Sequence, residues 1–151
     1  LSMKQTTLLL IALLCLVAPG FAAADPDEKI FPRKIDCGTT AEPKNCKAHQ
    51  RLMPLISAGA LGGRRASMRA VARYAGEFAN GIFVQDMTLS CAWRMVIVGS
   101  PRLRSTADDQ SAYEKTCSML SAGNHAEAED TARQIAKRVF RANAFALPGS
   151  D

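Results

Sequence analysis

The residue types with the most chemical potential in this chain are its cysteines. Cys37, Cys46, Cys91 and Cys117 contain no Cys-x-x-Cys pair, and the only histidines, His49 and His125, stand apart from them and from each other. That spacing argues against a zinc site, which needs ligands clustered in short motifs. It equally argues against a Cys/His nucleophile, which needs a free thiol beside a base. An even set of cysteines in an exported chain reads instead as two disulfides formed in an oxidising compartment. Four cysteines allow three pairings. The local one, Cys37 with Cys46 and Cys91 with Cys117, is expected, and Cys37 with Cys91 or Cys117 is the alternative.

The remaining chemistry-bearing residues have simpler uses. Asp108 and Asp109, like Glu127, Glu129 and Asp130, fall where first helical turns are expected, and acids there offset the positive end of the helix dipole. Gly62-Gly63-Arg64-Arg65 reads as a helix break rather than a phosphate cradle. No catalytic residue, metal or cofactor is expected, and the chain is not expected to be an enzyme. Trp93, the one tryptophan, is expected in the core.

Charge is distributed unevenly. Between residues 43 and 104 there are ten bases against Glu77 and Asp86, while each flank is net acidic. Arg65, Arg69 and Arg73 recur every four residues, forming a ridge along one side of a helix. With Arg64 and Arg94 they are the candidate partner-binding residues, suited to an acidic protein or an anionic envelope component. Reversing the ridge to Glu is expected to weaken binding with little change in helicity. Nucleic acid is not an expected partner of an exported chain whose six Phe, two Tyr and one Trp do not interleave with its bases.

Export is read from the start of the chain. Lys4, an apolar run over residues 8–18, Pro19-Gly20 and the small residues Ala22-Ala23-Ala24 before Asp25 have the order of a secretory signal peptide. The run is too short to span a bilayer, which needs about 20 residues, so no transmembrane anchor is expected after cleavage. Removing residues 1–24 takes away one base, no acid and the fifth cysteine, Cys15. A periplasmic or secreted location follows. With 151 residues, 48% apolar and 22% charged, the composition excludes a disordered or collagen-like chain and fits one domain.

The elements that must position these residues are helical. Residues 25–42, with Pro26, Pro32 and Gly38, read as an irregular lead-in. Helices are expected over about 43–62, bent or divided at Pro54; 65–79, with Met68, Val71, Ala72, Ala75 and Phe78 inward; 87–98, capped by Asp86; 106–121, capped by Ser105 or Thr106; and 124–141, capped by Asn124 with Glu127. Residues 142–151 are expected to fray. The fold class is all-α, with 43–141 as the helical domain.

Within it, Tyr74-Ala75-Gly76-Glu77-Phe78-Ala79-Asn80-Gly81, followed by Val84, Asp86, Ser90 and Trp93, resembles the Sel-one-like repeat, a relative of the tetratricopeptide repeat. Gly81 matches the family's turn glycine, Val84 its loop valine, Asp86 the cap of its second helix and Trp93 its aromatic residue. Tyr74, Ala75, Phe78 and Ser90 replace the usual Leu, Gly, Tyr and Ala, Phe83 stands at the second loop glycine, and the loop is one residue short. Residues 52–63 resemble the second half of a preceding repeat, and 108–140 the helical end that closes such arrays. The resemblance implies short antiparallel helix pairs stacked as a truncated, disulfide-stapled α-solenoid. It also implies a protein-interaction adaptor whose concave face grips a partner. The alternative is a small secreted inhibitor or effector that blocks an envelope or host enzyme.

Overall fold

A computed structural model describes residues 29–79, 81–141 and 148. The signal-peptide reading and most of the 142–151 tail lie outside the described residues, as does Asn80. Five helices pack together, α1 (Pro43–Leu61), α2 (Arg65–Ala75), α3 (Met87–Gly99), α4 (Ala107–Cys117) and α5 (Ala122–Phe140), and no strand occurs among the described residues. Both disulfides take the local pairing, Cys37–Cys46 and Cys91–Cys117.

Local signals explain most boundaries. Pro43 opens α1, where its missing amide is harmless. Pro54 does not divide the helix: it lies on the exposed side, where the carbonyl it leaves unpaired can take water. Gly62 closes α1, and Gly63 takes φ +78°, a left-handed conformation that glycine adopts without strain. Asp86 caps α3 by accepting from the Leu89 amide at 2.8 Å. Thr106 and Asp109 form a reciprocal capping box on α4.

Three expectations are corrected. Helix α2 ends at Ala75 rather than near Ala79, and Phe78, placed inward by periodicity, is about half exposed because the chain has left the helix before reaching it. Gly76 stands at that end because α3 passes against it: a Cβ there would lie 2.7 Å from Ser90 Oγ, itself held by the Ala72 carbonyl. Helix α4 ends at Cys117. Helix α5 starts at Ala122, with Ser121 rather than Asn124 as its cap, its hydroxyl accepting from the Asn124 amide.

Helix α3 is the centre of the molecule. Every residue from Leu89 to Ile97 is buried, so the helix is enclosed on all sides, with Ser90 and Arg94 as its buried polar members. It packs against α5, α2 and α4. Ala72, Ala75, Ala92, Ala128, Ala132 and Ala136 are all fully buried, and these small side chains let the surrounding helices approach closely.

The lead-in is part of this core. Ile30 is buried, its carbonyl accepts from Trp93 Nε1 at 2.7 Å, and Phe31 stacks on the indole with ring centres 5.8 Å apart. The Val84 amide donates to Arg33, and Gln50 Nε2 reaches the carbonyls of both Ile35 and Ile82. Glycine 81, at φ +73°, makes the turn that brings this loop back toward the lead-in.

Candidate functional site

The arginine ridge lies along α2, but its members have different duties. Arg65 donates to the carbonyls of Leu103 and Arg104 in the loop before α4. Arg69 makes a two-pronged pair with Asp109, Nε to Oδ1 at 2.6 Å and Nη2 to Oδ2 at 2.7 Å, and also donates to Thr106 Oγ1. Both therefore fasten α2 to the start of α4. Arg73 is exposed, with its guanidinium 6.0 Å from the centre of the Phe78 ring. Arg64, exposed, precedes α2 and makes no side-chain cap.

Arg94 does not join this surface. It is on the central helix, 7% exposed, with Nη2 3.2 Å from Glu77 Oε1 and Nε without a partner among the described residues. Burial lowers its pKa, Glu77 opposes that effect, and nearby Arg73 adds to it. Its contact fixes Glu77 beside Phe78, so it acts on the turn from behind. Periodicity alone could not reveal this, since α3 has no solvent-facing side along that stretch.

The Arg69–Asp109 pair changes the expected result of reversing the whole ridge. Glu at position 69 would face Asp109, so stability would fall along with any binding. The Asp109 side chain is 5% exposed, and the Arg69 bond, aided by Thr106, holds its pKa down to about 2 against an opposing burial effect. A depressed carboxylate pKa contributes stability that is present above the unfolded value of about 4 and is lost as pH falls toward 2. Discounted for the partly exposed Arg69, the contribution is about 1–2 kcal/mol. Asp109→Asn is expected to lose that amount at pH 7 and to flatten the acid limb of stability between pH 4 and 2. Urea melts at several pH values check this; an unchanged acid limb in the variant would assign the acid sensitivity to other groups.

Between Arg69 and Arg73 a hollow of about 330 Å³ is lined by Ala66, Ala70, Tyr74 and Phe78 as well as the two arginines. It combines a cation, an exposed aromatic edge and small apolar side chains. Such a surface can hold a carboxylate beside an apolar group.

The other reactive residue types are tied up locally. His49 Nδ1 is 2.7 Å from the Tyr74 hydroxyl, and Tyr74 stands edge-on to both His49 and Phe83. His125 lies 3.3 Å from Glu129, one turn away, and Arg133 pairs with Glu129 and Asp130. No group of three or more His, Cys, Asp or Glu residues among the described residues could hold a metal ion. A second, wider cleft of about 560 Å³ lies where the lead-in crosses α3 and α5, with Lys29 and Arg33 on one side, Asp86, Glu127 and Asp130 elsewhere on its wall, and Phe31 and Leu89 among its apolar lining. It escaped the sequence because it exists only once Trp93 holds the lead-in in place.

Of the repeat-like residues, Gly81 makes its turn, Asp86 caps α3 and Trp93 fills the space between α3 and the lead-in. The chain matches no family model, no curated protein and no solved structure.

Proposed function

We propose that this is an exported interaction module of the cell envelope, periplasmic or secreted, that docks an acidic segment of another protein on the α2 face. In this reading α2 and α3 are a Sel-one-like helix pair, α1 is the second half of a preceding one, and α4 and α5 close a truncated solenoid. The disulfides supply part of the stability that a longer array would draw from further repeats. The observation that carries the reading is the Arg73–Phe78 hollow. Arg73 is an exposed cation with no ion-pair partner among the described residues, held over a phenylalanine that is 51% exposed. An arginine and an aromatic side by side at a surface are the residue types that dominate binding energy at protein interfaces.

The test is photocrosslinking in cells from positions 66, 70 and 73, followed by capture of the identified partner on purified variants. Arg73→Glu is expected to weaken capture by roughly tenfold or more, with the wild-type interaction falling as salt rises. Because Arg73 is exposed, far-ultraviolet circular dichroism of this variant should match the wild type. Capture that is unchanged in Arg73→Glu would remove the α2 face as the docking surface.

A further inference from the structure

We propose that the outward face of α1 is a docking surface for an anionic lipid bilayer. This goes beyond the protein-binding reading and does not rest on it, since it concerns another helix and other residues.

Helix α1 is apolar on two sides. Cys46, Met53 and Ala60 point into the protein, as expected of a packed helix. On the opposite side Leu52 is 50% exposed and Leu55 71%, which makes them two of the four exposed large hydrophobic side chains among the described residues. Lys44, Lys47 and Arg51 are exposed on the same outward face, one or two turns earlier, at the three-and-four spacing that aligns residues along a helix. None of the three is in an ion pair among the described residues. There is no acid anywhere between Pro43 and Leu61, and the nearest one before it, Glu42, is engaged by the Asn45 amide at 3.2 Å.

The placement of the lysines opposes the stability of the helix itself. Lys44 occupies the first turn of α1, at the positive end of its dipole, where acids are favoured and none is present, and Lys47 follows at the start of the second turn. The rule is kept where α4 opens with Asp108 and Asp109 and where α5 closes with Lys137 and Arg138, whereas α2 also opens on a base, Arg65, whose side chain is taken up by the Leu103 and Arg104 carbonyls.

The charge and apolar content of this face fit an anionic bilayer, since three exposed cations stand beside two exposed leucines. A helix of 19 residues extends about 28 Å and can lie along a planar surface. Leu52 and Leu55 would enter the acyl boundary, while the lysine stems run beside them and carry their ammonium groups up to phosphate. Anionic headgroups complement three cations with no acid on the same helix.

The experiment is flotation of the full chain with vesicles of equimolar phosphatidylglycerol and phosphatidylcholine, and with phosphatidylcholine alone. The apolar run over residues 8–18 is shared by all variants, so the differences between variants carry the result. The triple variant Lys44→Gln, Lys47→Gln, Arg51→Gln is expected to lose about 100-fold in affinity for the anionic vesicles. Leu52→Ser with Leu55→Ser is expected to lose about tenfold or more. Arg73→Glu should leave vesicle binding within about twofold, which separates this inference from the α2 reading. Amide exchange should slow along residues 44–58 when vesicles are added.

All five substituted side chains are exposed, and circular dichroism confirms that the variants remain helical before binding is compared. Equal binding by wild type and both α1 variants would overturn the proposal, as would slowed exchange confined to other segments. So would the absence of vesicle binding together with binding of an amphipathic Glu/Leu peptide, which would assign the face to a protein.

Discussion

Replacing Cys91 and Cys117 together by alanine is expected to lower stability by about 3–4 kcal/mol, more than loss of the other disulfide. The bond closes a loop of 26 residues, and restricting an unfolded loop of that length removes entropy worth about 3.5 kcal/mol. The 9-residue loop of Cys37–Cys46 gives about 2.6 kcal/mol on the same basis. Position widens the difference. Cys91 is fully buried on the central helix and Cys117 ends α4, so this bridge ties the middle of the core to an outer helix. Cys37 sits in the lead-in, and its bridge reaches only the first turn of α1.

Thermal and urea melts of the two double variants measure the ranking. For a chain of this size the Cys91/Cys117 variant should melt roughly 10–15 °C lower. A variant within about 0.5 kcal/mol of the wild type would mean that the contacts of α4 with α3 hold without the covalent tie. The Arg69–Asp109 pair is the noncovalent link with most to gain in that variant, because it joins the same helix α4 to α2. Asp109→Asn added to the cysteine variant should then cost more than Asp109→Asn alone.

The sequence made some of these features legible and hid others for identifiable reasons. Asp86 and Thr106 could be read as caps because capping depends on a side chain and amides three residues away. The inner face of α2 followed from periodicity, with Met68, Val71, Ala72 and Ala75 all buried. Phe78 was misplaced because the pattern extended past a helix end set by the close approach of Ser90 to Gly76, a tertiary contact. Ser121 and Asn124 are both good caps, and only the packed structure distinguishes them.

The candidate site shows the same division. The four-residue spacing of Arg65, Arg69 and Arg73 correctly put them on one ridge, yet spacing carries no information about which neighbour lies opposite. Asp109, 40 residues from Arg69, turns one cation of that ridge into a structural tie, and Leu103 and Arg104 do the same for Arg65. Arg94, a candidate partner-binding residue by its charge, is instead buried. Its burial comes from α3 being enclosed by three other helices, an arrangement that no local pattern encodes.

Trp93 is the residue on which the lead-in depends most. Its ring is fully buried, its Nε1 donates to the Ile30 carbonyl, and its face carries Phe31. Trp93→Ala is expected to cost about 3–5 kcal/mol, as for other buried aromatics replaced by alanine. Trp93→Phe is the more informative change. It keeps a ring against Phe31 but removes the only indole N–H, leaving a buried carbonyl without its donor, at about 1–3 kcal/mol, plus a smaller cavity cost.

The two effects of Trp93→Phe can be separated by where the protein opens. A lost donor should loosen residues 29–35 first, because Arg33 and Lys34 are exposed and the Val84–Arg33 bond and Gln50 hold the segment only from its far side. Trypsin should then cut after Lys29, Arg33 or Lys34 before the helices unfold, and amide exchange in the lead-in should quicken while that of α3 stays slow. The wider cleft would lose Lys29, Phe31 and Arg33 from its wall in the same step. If Trp93→Phe melts earlier with wild-type resistance to trypsin, the tryptophan acts only by filling volume, and the lead-in is fastened by its contacts with Val84 and Gln50.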